Sequence, residues 1–168
     1  MAANDKSDSA TTVSESHSLR CELAAEVLRS SGSLRLRVTG WSMLPTIWPG
    51  DTLIIEHTEG AIIPGDIVLF QRERRFFAHR VVEAGQGSPT VTRGDSMPKC
   101  DGPVPARDLL GKVRFIVRNG KLIEPAKSLG LPERAAAALL QRSERAARVA
   151  VTLHNLRQPA TISGTENS

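Results

Sequence analysis

The sequence predicts a mainly β fold, a barrel-like folded antiparallel sheet with one helix before it and one amphipathic helix after it. Short runs of strand-like composition follow one another through the middle of the chain. Turn signals separate these runs, among them two Pro-Gly-Asp triplets and one Asn-Gly pair. Many short strands with regular turns are typical of antiparallel sheets that fold over or close. The chain has 168 residues, enough for one domain of ordinary size.

Changes in composition along the chain predict its organisation. Residues 1–18 are rich in Ser, Thr, Asp and Asn, which predicts a disordered tail. Residues 19–125 carry the regular apolar patterns of a folded domain. Residues 126–158 contain the C-terminal helix, and the polar residues 159–168 predict a second disordered tail.

The first predicted element is a helix from Leu19 to Ser31, because apolar side chains recur there at three- and four-residue spacing. Ser18 can cap its start, and Gly32 fits its end. Residues 34–38 then alternate between apolar and basic or polar side chains, which predicts a half-buried strand. Further strands are predicted at Thr52–Glu56, Ile67–Gln71, Phe76–Val82, Thr90–Arg93, Lys112–Val117 and Lys121–Glu124. Asn119-Gly120 predicts a two-residue hairpin between the last two.

The C-terminal helix is predicted from Glu133 to about Arg157, just after Pro132. Its Ala and Leu residues form one apolar stripe, and most of its arginines lie elsewhere on the helix. Two interpretations stay open at this stage. The helix docks on the sheet, or it lies on a membrane surface.

The charge balance is mildly basic, with a formal net charge of +4 and an isoelectric point of about 9.6. This permits contact with an anionic membrane surface without requiring it. The strands carry no dense stripe of Lys and Arg interleaved with aromatic residues, so we expect no nucleic-acid partner.

The pattern of cysteines and the length of the apolar runs limit which cofactors and which cellular location we expect. Cys21 and Cys100 form no Cys-x-x-Cys pair and no zinc pattern with His, so we expect no metal or cofactor and reduced thiols. No run reaches the roughly 18 apolar residues that a membrane span needs. The polar start also lacks the basic and apolar layout of an export signal. We therefore expect a cytoplasmic protein that touches a membrane, if at all, through its C-terminal helix.

Three segments hold the residue types that serine-based catalysis needs. In the first, a strand runs into Gly40, and Ser42 follows in a proline-stiffened turn that can fix a hydroxyl and backbone N–H groups in place. In the second, His79 lies in a strand, and imidazole is well suited to accept a serine proton near neutral pH. The third segment offers two carboxylates, Asp95 and Asp101, that could hold the other imidazole nitrogen. Taken singly, each segment is also explained as an ordinary turn or strand.

Taken together and in this order, the segments resemble the sequence boxes of the signal peptidase I superfamily. Gly-x-Ser-Met-x-Pro-Thr from Gly40, with the Pro-Gly-Asp after it, is similar to the nucleophile box of that family. The second Pro-Gly-Asp with Ile-Val-Leu-Phe is similar to the next box. His-Arg-Val-Val from His79 resembles the base box of the endoplasmic-reticulum and archaeal branch, where His replaces the bacterial Lys. Arg-Gly-Asp followed by Asp101 is similar to the acidic box, and the agreement extends over residues 38–117.

The resemblance implies a fold like that of signal peptidases and LexA. It also implies a serine endopeptidase that cuts a precursor, signal or leader peptide after small residues. In that reading Ser42 attacks the substrate, His79 is the general base, and Asp101 orients His79. Asp95 is the less favoured orienter and would otherwise brace its loop.

The resemblance also implies roles for the residues around the nucleophile. Gly40 stands where many signal peptidases have Ser, which leaves the oxyanion to backbone donors such as the N–H groups of Ser42 and Met43. Met43 and Pro45 would shape a shallow pocket for small residues. Signal peptidases usually carry a membrane anchor beside this domain, and none is visible in this sequence.

Two other functions stay open on sequence. A non-catalytic module could keep the fold to bind a leader peptide. A self-cleaving regulator of LexA type could carry Gly before its nucleophile, as here at Gly40, but such regulators use a Lys base. The small dipeptide Ala84-Gly85 follows His79, whereas those regulators cut before the nucleophile, so we predict a hairpin turn at that position.

Overall fold

The structure, a computed structural model, describes residues 22–57, 60–85 and 88–141. Within these ranges, seven strands form one sheet in which every pairing is antiparallel. Helix α1 spans residues 22–31 and precedes the sheet, and helix α2 follows it. The bounds are β1 Ser33–Arg37, β2 Thr52–Glu56, β3 Ile67–Arg72, β4 Arg75–Gly85, β5 Ser88–Arg93, a short 3₁₀ helix Ala106–Asp108, β6 Leu109–Arg118, β7 Lys121–Ile123 and α2 Leu131–Gln141.

The sheet is open, with the strand order β1-β2-β6-β3-β4-β5 and β7 paired to β6. The mainly β class, the antiparallel pairing and the helix at each end of the sheet are confirmed. The barrel-like shape we expected is a folded sheet that does not close. Strand β6 lies between β2 and β3, so the two halves of the sheet are joined by a strand that comes late in the chain.

Most strand predictions differ from the structure only at their ends, and Thr52–Glu56 matches β2. The largest differences are of three residues: β4 ends at Gly85 instead of Val82, and β6 begins at Leu109 instead of Lys112. Glycine usually weakens a strand, because it has no side chain to pack. In the structure a Cβ at Gly111 would collide with the carbonyl oxygen of Glu56, so the glycine lets β2 approach β6 closely.

The main core lies between α1, the loop that follows β1, and one face of the sheet. Leu28 of α1 is 1% exposed and packs in this core. Helix α1 ends as predicted at Gly32, which has a φ of 72° and donates its N–H to the carbonyl of Leu28 at 3.0 Å. The other buried members are Met43, Ile47, Leu53, Ile55, Ile67, Leu69, Val113 and Ile116. A second cluster on the opposite face contains Val68, Phe70, Val81 and Val104.

The two Pro-Gly-Asp triplets form the same turn twice. In each, the carboxylate accepts the backbone N–H three residues earlier, at 2.8 Å for Asp51 and 3.2 Å for Asp66. Both glycines have a φ near 95°, which glycine adopts without strain. Both aspartates are almost fully buried, and each pairs with a base of β6: Asp51 with Arg118 at 2.7 Å and Asp66 with Lys112 at 2.8 Å. Strand β6 therefore fixes both turns.

The described part of the C-terminal helix docks on the sheet domain. In α2, Ala137 and Leu140 are 3% and 8% exposed, and Leu140 packs against Leu44 with Trp41 and Trp48 beside it. The predicted continuation to Arg157, the start of the first helix at residues 19–21 and both predicted tails lie outside the described residues. Neither described helix has the length and apolar character that crossing a bilayer requires.

Candidate active site

Ser42 lies in the loop between β1 and β2, and hydrogen bonds close this loop at its base. Val38 donates its N–H to the carbonyl of Asp51 at 2.8 Å, and Gly50 donates to the carbonyl of Val38 at 2.8 Å. Between these ends the chain forms a tight turn, with the Leu44 N–H donating to the Trp41 carbonyl at 3.1 Å. Ser42 itself is half-buried. The loop thus holds its hydroxyl at one place on the sheet.

His79 lies in β4 and faces Ser42. Its Nε2 is 2.9 Å from the Oγ of Ser42, and its Nδ1 is 2.7 Å from the Oδ2 of Asp101. The imidazole is 4% exposed, and the rings of Phe70 and Phe77 meet it at steep angles with centroids 5.9 Å away. The three polar side chains therefore form one hydrogen-bonded chain, and aromatic contacts fix the imidazole at its centre.

Asp101 is held in place by Thr92, a fully buried residue of β5. The Thr92 hydroxyl donates to the Asp101 carboxylate at 2.6 Å, and the Asp101 N–H donates to the Thr92 carbonyl at 2.7 Å. Arg72 supports the next residues by donating to the carbonyls of Gly102 and Pro103 at 2.7 and 3.1 Å. Burial raises the pKa of the Asp101 carboxyl, but the hydrogen bonds from His79 and Thr92 and the nearby positive charges outweigh it, so this pKa lies below its ordinary value.

The low pKa of Asp101 determines the tautomer of His79. An ionised carboxylate only accepts hydrogen bonds, so the Nδ1 of His79 must carry the hydrogen that it shares with Asp101. In the neutral imidazole the Nε2 is then unprotonated, and it can accept the Ser42 hydroxyl hydrogen. The arrangement is suited to removing a proton from Ser42.

Asp95, the other candidate carboxylate, binds Arg80 instead of His79. The guanidinium donates to both of its oxygens, at 2.8 and 2.9 Å, and the Thr46 hydroxyl donates to the same carboxylate. Arg80 also donates to the carbonyls of Gly65 and Ala126 at 3.0 and 2.7 Å. Asp95 thus ties its own loop to the nucleophile loop and to the second Pro-Gly-Asp turn.

The segment 94–96 packs directly behind the nucleophile. Ser96 donates its N–H and its hydroxyl to the carbonyl of Ser42, at 3.0 and 2.9 Å. A Cβ at Gly94 would lie 2.5 Å from that same carbonyl oxygen, so the glycine permits the close approach. These contacts hold the backbone of Ser42 through its carbonyl group.

A pocket of about 510 Å³ opens beside Ser42. Of the three residues predicted to bind substrate, Gly40 and Met43 belong to its lining. Pro45 does not, and its carbonyl accepts a hydrogen bond from the indole of Trp48 at 2.8 Å. The remaining lining is largely apolar and comes from α1, strands β1 to β4 and the loop between β1 and β2. Within the described chain, the backbone N–H groups of Ser42 and Met43 donate no hydrogen bond.

Sequence reasoning missed the residues that support the triad. Thr92, Gly94 and Ser96 all lie in the segment that the sequence singled out, but only its two aspartates were given roles. The alternation of Thr90 and Thr92 in β5, both buried, was the available sign of an inward-facing hydroxyl. No cluster of three or more His, Cys, Asp or Glu side chains that could hold a metal ion occurs among the residues that the structure describes.

Comparison with known families gives one match. Residues 3–99 match the family described as Peptidase S24-like. This range contains Ser42 and His79 and ends just before Asp101. No curated protein matches the chain.

Proposed function

The chain belongs to the Peptidase S24-like family, and from that premise we propose that it is a serine endopeptidase that cuts a precursor or leader peptide. The observation that supports this proposal is the hydrogen-bonded chain from Ser42 through His79 to Asp101, at the edge of an apolar pocket. A serine, a base and an orienting group within hydrogen-bond reach of one another are the parts that covalent catalysis by serine needs.

The proposed reaction has two halves. In the first, the Oγ of Ser42 attacks the substrate carbonyl carbon while its proton passes to the Nε2 of His79. The imidazolium, stabilised by Asp101, then gives that proton to the leaving amine as the peptide C–N bond breaks and an acyl-serine forms. In the second half, His79 takes a proton from water, the resulting hydroxide attacks the ester, and Ser42 recovers its proton as the carboxylic acid leaves.

Backbone donors are the proposed stabilisers of the negative charge on the substrate oxygen. The N–H groups of Ser42 and Met43 donate no hydrogen bond to other described residues. Both lie in the tight turn that carries the nucleophile. Fixed N–H donors aimed at a developing oxyanion are worth about 3–4 kcal/mol each in serine proteases. Gly40 has no side-chain hydroxyl that could act as a further donor, so only backbone N–H groups are proposed to stabilise the oxyanion.

The substrate is proposed to bind as an extended strand. Among the described strands, β5 pairs with β4 from Arg80 onward, whereas residues 75–78 of β4 pair with β3 alone. The other edge of residues 75–78 is therefore open to a peptide main chain, and these residues run directly into His79. A peptide added at a sheet edge gains main-chain hydrogen bonds and places alternate side chains in pockets.

A peptide library tests the proposal. Purified natural protein and Ser42→Ala protein are incubated with leader-like peptides, and cleavage is read by mass spectrometry. We expect cuts after small residues that disappear with Ser42→Ala and with His79→Ala. Peptide binding without any turnover by well-folded natural protein would contradict the peptidase and favour the binding module.

The family match does not distinguish this peptidase from a second candidate, a regulator that cleaves its own chain. Ala84-Gly85 is not suited to be the cleaved bond, because Gly85 ends β4 and pairs with Ser88 in a hairpin. The intact mass of the natural protein after long incubation at several concentrations decides between the two. A shortened chain that Ser42→Ala does not produce would establish self-cleavage.

A further inference from the structure

The pocket beside Ser42 has a basic rim. Among the described residues that line it, Arg37 and Arg75 are charged and none is acidic. Arg37 ends β1 and Arg75 begins β4, and both are exposed. At the bottom of the same pocket, Leu53 and Leu69 are 1% and 0% exposed. An occupant of the pocket thus meets buried apolar side chains and, in the same lining, two exposed arginines.

Neither arginine of the rim is neutralised by the described part of the chain. Arg37 and Arg75 form no ion pair there, unlike Arg80 and Arg118, which pair with buried carboxylates. The guanidinium of Arg75 lies 6.0 Å from the ring centroid of Phe77, another residue of the pocket lining. This contact holds the guanidinium beside an aromatic residue of the lining and supplies no anion to pair with it. A ligand with a negatively charged group would complement the positive charges of these two arginines.

We propose that Arg37 and Arg75 make this site selective for peptides that carry an Asp or Glu side chain three to five residues from the cut bond, with an apolar side chain in the pocket. The inference rests on the proposed peptidase function, because it names the substrate of that site.

The spacing follows from strand geometry. Arg75 precedes His79 by four residues in β4, which is about 13 Å at about 3.3 Å per residue. An extended peptide along the open edge of β4 covers that distance in about four residues, so its acidic side chain reaches the rim when the cut bond reaches Ser42. Exposed ion pairs contribute modestly, so two of them should favour acidic peptides by about 3- to 10-fold in kcat/KM, with less effect at high salt.

The experiment uses amidated peptides with one apolar residue and a single Glu, Gln or Lys placed stepwise from one to seven residues on either side of the cut bond. Cleavage by the natural protein and binding to the Ser42→Ala protein are measured for each peptide. The variants are Arg37→Gln with Arg75→Gln, the same pair changed to Glu, and Arg35→Gln as a matched control in the same strand. Arg35 is exposed and does not line the pocket.

We expect a Glu preference that peaks three to five residues from the cut, disappears in the double Gln variant and is unchanged in Arg35→Gln. The double Glu variant should prefer Lys at the same positions. Equal use of Glu and Gln peptides in both measurements, or a preference that survives in the double Gln variant, would overturn the inference.

The two measurements separate this inference from the peptidase proposal. Selective binding of Glu peptides without cleavage would support the basic rim and refute the peptidase. Cleavage without any charge preference would support the peptidase and refute the rim.

Discussion

Replacing Gly94 by alanine tests whether the segment behind Ser42 sets the position of its hydroxyl. The new Cβ would lie 2.5 Å from the Ser42 carbonyl oxygen, 2.7 Å from the Cγ of Met97 and 3.1 Å from the Cβ of Ser42. Ordinary contact begins at 3.4 Å, so the shortfall at the carbonyl oxygen is about 0.9 Å. The Met97 side chain can move, but the Ser42 carbonyl belongs to the backbone and is held by two hydrogen bonds from Ser96.

The displacement must therefore be taken up by the backbone of Ser42. A shift of about 1 Å at a reacting group costs about 10²-fold in rate, so we expect kcat/KM of Gly94→Ala to fall by about that factor. Overpacking should also lower the free energy of unfolding by about 1–3 kcal/mol. Peptide cleavage and urea unfolding measure the two effects.

A matched control lies in the same loop. Gly102→Ala places its Cβ no nearer than 3.9 Å to other atoms, so we expect nearly natural activity and stability from it. If Gly94→Ala cleaves peptides within about threefold of the natural rate, the packing argument for the position of Ser42 is wrong.

Four further predictions concern the supports of the site. Asp101→Asn should lower kcat by about 10⁴-fold in peptide cleavage, because an amide no longer enforces the reactive tautomer of the histidine. Because the pKa of Asp101 is lowered on folding, its ionised form stabilises the protein above about pH 4, and that contribution is lost as the pH falls through the folded-state pKa. The stability difference between natural and Asp101→Asn protein in urea should therefore shrink between pH 7 and pH 3. Arg80→Met should cost about 3–5 kcal/mol in urea unfolding, since it removes the guanidinium that pairs with buried Asp95. Leu140→Ala should cost about 2 kcal/mol by the same measurement and slow cleavage, because Leu140 packs on Leu44, two residues from the nucleophile.

Local patterns in the sequence were sufficient for most of the fold. The strand-like run Thr52–Glu56 located β2 to the residue, and the Asn119-Gly120 pair forms the predicted hairpin, with φ of 51° and 74°. The hairpin between β3 and β4 turns at Glu73 and Arg74, which also have positive φ but are not typical turn residues. Composition gives no sign of such a turn, because the paired strands impose it.

The site could be predicted only in its most distinctive residues. The sequence motifs indicated Ser42 and His79, which the structure places 2.9 Å apart. They left Asp95 and Asp101 as alternatives, because both lie in one turn-rich loop and a sequence does not show which way a loop folds. The supporting contacts of Thr92 join positions that only tertiary packing brings together.

The place of β6 in the sheet has a consequence for the order in which the site is made. Strand β6 separates β2 from β3, so without it the sheet divides into one piece with the Ser42 loop and another with His79. A chain emerging from the ribosome at about 5–20 residues per second exposes both side chains several seconds before residues 109–118 are available to join the pieces. Until β6 has emerged, no strand joins the two halves of the sheet, so the half that carries the Ser42 loop and the half that carries His79 lack the strand that pairs with both of them.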